Sequence, residues 1–284
     1  MAVPLVTLRE VLVPAAEQGY AVGAFNANNL EYVQAIVTAA TAERAPVIVQ
    51  ASQGAIRHAG LAHITEMVRV AAREAPIPVV LHLDHGRDLE LVRQCIEIGF
   101  TSVMFDGSDL PLEENIRLTA RVVEWARAVG VSVEGELGRV PRVGVTAEEV
   151  RALMTDPDEA ARFARETGVD AMAVAVGSVH QMTQQRAVLD VPRVAAIRRA
   201  TGLPLVLHGS SGVAEDSLRE AIRAGICKVN FATSLNVAFR RGLAEAMAED
   251  PAGVDPRPYL ARAREEVATA VRERIHLLGC SGRA

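Results

Sequence analysis

Residues 205–213 read LVLHGSSGV, an apolar run that stops at His208, crosses a turn of small residues and enters the helical pattern EDSLREAIRAG at 215–225. A run with no polar alternation is the form of a strand covered on both faces, and parallel strands are covered in that way by the helices of their crossovers. The same unit recurs in both directions along the chain: short β-branched runs alternate with amphipathic stretches from end to end. Strands are expected at 21–26, 46–51, 78–84, 102–106, 131–137, 171–176, 204–208 and 227–231. Helical patterns such as LEYVQAIVTAATAER (30–44), LELVRQCIEIG (89–99) and EENIRLTARVVEWARAVG (113–130) lie between them, several closed by a glycine placed to end a helix. Eight βα units predict an α/β fold, a (β/α)8 TIM barrel.

The 284 residues suit one domain over 1–284, since barrels of this class commonly take about 250 residues. Residues 1–248 hold the barrel core. The stretch EDPAGVDPRP (249–258) cannot continue the helix before it, and YLARAREEVATAVRERIHLLG (259–279) is one amphipathic helix without a strand partner. A C-terminal helical extension is therefore expected over 256–280, packed on the barrel or on a second subunit of a homodimer or homotetramer.

Half of the chain is hydrophobic and no low-complexity tract interrupts it, so an ordered domain with a sizeable core is expected. A net charge of −5, one Trp and three Tyr offer neither a basic field nor stacking platforms for a nucleic acid. Cys95, Cys227 and Cys280 are odd in number and far apart, which fits a reducing cytoplasm better than a disulfide framework. The opening MAVPLVTLREVLVPAAEQ lacks the basic start of a leader, and no apolar run is long enough to span a bilayer. Neither nucleic-acid nor membrane partners are expected.

Barrel enzymes carry their chemistry at the C-terminal ends of the strands. Here those ends are polar throughout: Asn26, Ser52, Asp84 with His85, Asp106, Glu136, Gly177 to His180, His208 to Gly212, and Asn230 with Thr233. Polar groups closing apolar runs are costly when buried unpaired, so eight such ends predict a functional face. His85, His180 and His208 come from three different strands and can converge, and three neutral imidazoles leave an open fourth position on tetrahedral zinc. His82 alternates with Asp84, which points both into the barrel and leaves His85 to turn where the period breaks. His58, His63 and His276 lie in helical or loop surroundings, where a locally bonded histidine is the simpler reading. The Gly/Ser turn of LVLHGSSGV, with a helix start behind it and KVNFATSLN (228–236) beside it, occupies the place where barrels bind phosphate.

Taken together, AFNANNLE (24–31), HLDHG (82–86), SVMFDGS (102–108), VSVEGELG (131–138), LVLHGSSGV and KVNFAT (228–233) resemble the class II zinc-dependent ketose-bisphosphate aldolases, of the tagatose- and fructose-bisphosphate type. The resemblance covers almost the whole chain, in order. It implies a lyase that joins dihydroxyacetone phosphate to an aldehyde or reverses that step, with a phosphorylated sugar as its small-molecule partner. It also implies Zn2+ on His85, His180 and His208, an alternative inner metal position at Asp106 and Glu136, and Asp84 as the acid/base at the C4 hydroxyl. Gly209, Ser211, Asn230 and Thr233 match groups that hold the ketose phosphate; Asn26, Ser52, Gln181, Ser210 and Ala232 complete the candidate substrate-binding set. A monovalent cation, Na+ or K+, near the phosphate is usual in the family.

Two departures stand out. The family carries a mobile loop after the fifth strand whose Glu moves the second proton, whereas here ELG runs into RVPRVGVTAEEV without that Glu in place. Glu148 or Glu149 is a substitute by position, although TAEEVRALM (146–154) reads as a capped helix start. Gln181 stands where a Gly usually follows the zinc histidine. Two other functions compete with the main reading. Lys228, the only lysine, suits a Schiff-base aldolase, and the missing Glu suits a non-catalytic zinc and sugar-phosphate binding or regulatory subunit.

Overall fold

The computed structural model describes residues 5–180 and 186–284. Strands β1 (Val22–Asn26), β2 (Val47–Ser52), β3 (Val79–Gly86), β4 (Ser102–Phe105), β5 (Ser132–Leu137), β6 (Ala171–Val174), β7 (Leu205–Leu207) and β8 (Ile226–Phe231) close into a barrel in sequence order. Every neighbouring pair is parallel, and β8 returns to β1 through Ala24 opposite Asn230. The eight expected strands are thus the eight observed, in a (β/α)8 TIM barrel. Their residues are buried almost throughout, as strands between a barrel interior and an outer helical ring must be.

Helix α1 (Leu8–Gln18) precedes β1. α2 (Leu30–Ala42) follows β1, α3 (Gln53–Ala59) and α4 (Leu61–Glu74) follow β2, α5 (Leu89–Ile98) follows β3 and α6 (Leu112–Arg127) follows β4. α7 (Ala147–Ala152) and α8 (Pro157–Thr167) follow β5, α9 (Val191–Thr201) follows β6, α10 (Glu215–Ala224) follows β7, α11 (Thr233–Glu249) follows β8, and α12 (Pro256–Leu277) ends the chain. Local chemistry sets several starts: Asn29, Asp88, Asp156 and Asp190 each accept from a backbone N–H of the first turn. Thr7 and Glu10 form a reciprocal capping box on α1.

Helix α1 lies against β1, β5 and β8, with Arg9 N–H donating to Ser132 Oγ, and so covers the N-terminal end of the barrel. That leaves the C-terminal end open. Helix α12 packs on α11 and α2 and buries Ala263, Val267, Val271 and Ile275 there. Cys95, Cys227 and Cys280 are buried free thiols. Among the described residues no helix is long and apolar enough to cross a membrane.

Candidate active site

All eight strands end around one cavity of about 1220 Å³ at the open end of the barrel. Its floor holds Asp84, His85, His180 and His208, with Asp106 and Glu136 to one side. The backbone explains why Asp84 and His85, adjacent in sequence, face it differently. The pairing of β3 with β4 shifts register between Leu83 and Gly86, and His85 takes φ +50°. A non-glycine residue in the left-handed region costs of order 1–3 kcal/mol and persists where the surroundings fix it. Here the ring is fixed by Asp106.

The three histidine rings converge, their ligand atoms all lying within 4.8 Å of one another. His85 Nδ1 lies 2.9 Å from Asp106 Oδ2, and His208 Nε2 lies 2.9 Å from Glu134 Oε1. Carboxylates only accept, so these contacts assign the ring protons to His85 Nδ1 and His208 Nε2. The remaining nitrogens, His85 Nε2 and His208 Nδ1, then point lone pairs at each other across 2.9 Å. Two acceptors cannot satisfy one another. A cation between them removes the conflict, and a carboxylate behind each imidazole is the usual outer support of a metal-binding histidine. The donor set therefore fits a divalent ion, which three imidazoles hold with a position left open.

Without a metal the same conflict is met by a proton. Burial opposes charge on His85, but Asp84, Asp106 and Glu136 outweigh it and raise the ring to about 9. His180 is pushed down to about 4 by burial and by the other two rings, and burial and His85 likewise lower His208. Burial lifts the Glu136 carboxyl to about 8, and its Oε2 has no hydrogen-bond partner. His85, Asp106 and Glu136 form a second convergent set, at the residues of the expected alternative inner position.

Asp84 is buried, and both of its oxygens are held: Asn26 Nδ2 donates to Oδ2 at 2.8 Å and Asn230 Nδ2 to Oδ1 at 3.1 Å. Burial opposes its charge, yet His85, His208 and Lys228 together keep the carboxyl below its ordinary value. Asn26 in turn accepts from Gln50 Nε2 at 2.7 Å. The amide of Asn26 is thus engaged in orienting Asp84, besides lining the cavity.

Across the floor the turn after β7 and the start of α11 form a wall of small residues, Gly209, Ser210 and Ser211 facing Ala232 and Thr233. Ser210 Oγ donates to the carbonyl of Asn230 and so ties the two strand ends together. Gly209 has φ +66°, and a Cβ there would lie 3.0 Å from the Val179 carbonyl carbon and 3.2 Å from His180 N. Only glycine lets the turn sit this close to His180. The N-terminus of α11, a helix of 17 residues, opens onto the same wall, where its free N–H groups suit an anion. Ser52 also lines the cavity, but its hydroxyl caps α3 by accepting from Ala55 N–H. Gln181 lies outside the described residues.

The sequence reading passes over Glu134, which is fully buried under His208. It also passes over the arginines of the rim. Arg87 pairs with Asp106 and Asp109, and Arg139 pairs with Asp109, whereas Arg57 and Arg142 face the cavity with no ion-pair partner among the described residues. Arg142 is pinned beside His180 by backbone bonds, His180 N to Pro141 O at 2.8 Å and Val143 N to His180 O at 3.3 Å. The loop after β5 then enters α7, where Thr146 and Glu149 form a reciprocal capping box. Glu149 lines the cavity while occupied in that cap, and Glu148 is absent from the lining.

The family model "Fructose-bisphosphate aldolase class-II" matches residues 6–283. A fructose-bisphosphate aldolase of Thermus caldophilus is 43% identical over 305 aligned positions, which cover 99% of this chain and 100% of the relative. Another, from Staphylococcus epidermidis, is 42% identical with 99% of each chain covered. Among solved structures, the YdjI aldolase from Escherichia coli K12 matches with a TM-score of 0.87 and 33% identity over 99% of both chains. A match of this extent, in both sequence and fold, means that the chain belongs to the class-II fructose-bisphosphate aldolase family and makes or breaks the carbon–carbon bond between dihydroxyacetone phosphate and an aldehyde.

Proposed function

We propose that this aldolase cleaves a ketose 1,6-bisphosphate of the fructose or tagatose type, using Zn2+ held by His85, His180 and His208 and Asp84 as the acid/base at the C4 hydroxyl. The observation that carries the reading is the convergence of the three imidazoles, with carboxylates behind His85 and His208, next to a fixed, ionised Asp84. A bound zinc ion supplies the electron sink for the charge left on the ketose fragment when the C3–C4 bond breaks. The residues around it do the rest. Asp84 takes the proton from the C4 hydroxyl in cleavage and returns it in condensation. Asn26 and Asn230 hold the carboxylate in one orientation, so little reorganisation accompanies the transfer.

The wall of Gly209, Ser211 and Thr233 receives the ketose phosphate, whose binding orients the reacting carbon. Arg57 and Arg142 support a second anion on the aldehyde half of the substrate, because no carboxylate neutralises them and the undescribed residues include no acidic one. Three buried free thiols, raised by burial to about 12, 11 and 12, support residence in a reducing cytoplasm. The test is dihydroxyacetone phosphate release by the zinc-loaded protein from fructose and tagatose 1,6-bisphosphates and the matching 1-phosphates. Release from a bisphosphate is expected. Release from none of them would refute the substrate class.

A further inference from the structure

Lys228 is the one lysine of the chain and is 0% exposed on β8, outside the lining of the cavity. An ammonium is removed from water only at a cost that good pairing must offset. Its pairing is specific: Nζ lies 2.7 Å from Glu134 Oε2 and 3.4 Å from His82 Nε2, and His82 is itself held through Nδ1 by Ser102 Oγ at 2.8 Å. Glu134, also 0% exposed, therefore uses one oxygen for Lys228 and the other for His208. A planar carboxylate gripped at both oxygens has no freedom to turn. The imidazole that donates to it is oriented in consequence.

We propose that Lys228 is a positioning residue for the metal: acting through Glu134, it fixes the ring of His208 so that Nδ1 is presented to the divalent cation. The chain runs from Ser102 through His82, Lys228 and Glu134 to His208, crossing the barrel beneath the cavity floor from β4 to β7. It places the charge of the lysine two contacts away from His208, outside the cavity lining, where it supports the ligand set without meeting the substrate carbonyl. The inference rests on the reading of His85, His180 and His208 as the metal site.

Zinc affinity, measured by competition with a chelator, tests it. Lys228→Met is expected to weaken zinc about 10–100-fold, the usual effect of losing an outer support. Lys228→Arg, which keeps a cation against Glu134, is expected to retain most of the affinity. Because Lys228→Met leaves a buried charge on Glu134 and risks unfolding, Lys228→Met with Glu134→Gln serves as the folded control, and a similar loss is expected there. The ring N–H resonance of His208 should broaden or shift in these variants at unchanged circular dichroism, which a purely structural lysine would not cause. Unmodified zinc affinity in the folded double variant would overturn the proposal, as would a borohydride-trapped substrate adduct at Lys228. If the unmodified protein binds no divalent metal, the reading of the histidines fails instead.

Discussion

Asp84 and His85 share a peptide bond and are assigned different tasks, one moving a proton and the other holding a cation. The left-handed conformation of His85 separates them, turning its ring to Asp106 while Asp84 keeps the inward direction of β3. Asp84→Asn preserves the shape and removes the base, so carbon–carbon cleavage should fall by about 10²–10⁴-fold. Exchange of the dihydroxyacetone phosphate C–H proton with deuterated solvent should fall much less, because it does not involve the C4 hydroxyl. Equal losses in both assays would move Asp84 to the other proton. The pH dependence follows from His85, whose pKa is raised to about 9 in the metal-free protein. Its proton stabilises that form fully below the ordinary imidazole value of about 6.5, and the contribution disappears as pH rises through 9. Zinc needs the same nitrogen bare, so its affinity should rise between pH 7 and 9 with proton release. Zinc titrations across that window, in buffers of different ionisation enthalpy, check this; a flat profile would take His85 out of the ligand set.

The residues that sequence reasoning finds and those it passes over differ in one physical respect. Asp84, His85, His180 and His208 stand at the point where an apolar run ends, a break visible in the chain itself. Glu134 stands inside a run, two residues before Glu136, and its reason for being there is a histidine 74 positions away. The signal was parity: in β5, Ser132, Glu134 and Glu136 share the inward face, as His82 and Asp84 do in β3. A buried inward carboxylate requires partners or gives up its charge: Glu134 has the one lysine and the strand-end His208, while the Glu136 carboxyl is pushed up to about 8 by burial.

At the scale of elements, the strands are legible because burial on both faces leaves long apolar runs with glycine-closed helices between them. Helix α1 is less so, since LREVLVPAAEQ carries Pro14 and its apolar side is explained only by the barrel end that it covers. The segment TAEEVRALM behaves as its residues require, Thr146 accepting from Glu149 N–H while the Glu149 side chain accepts from Thr146 N–H. A carboxylate held in that cap is not free to move a substrate proton. Glu149→Gln should therefore cost little stability, and exchange of the dihydroxyacetone phosphate proton, expected to be slow in the unmodified protein without the loop Glu, should be unchanged. Fast exchange in the unmodified protein, lost in Glu149→Gln, would identify Glu149 as the second acid/base in place of the missing loop Glu.

For the whole molecule, a barrel sealed by α1 at one end confines the chemistry to the other, where eight strands each deliver a polar residue to one cavity. The account depends on a divalent cation among three of those residues. The measurement that bears on it most directly is bisphosphate cleavage by protein stripped of metal by a chelator, with metal content verified, before and after one equivalent of zinc. The account predicts no cleavage by the stripped protein, recovery with zinc, and no recovery in His208→Ala. Undiminished cleavage by verified metal-free protein would contradict it.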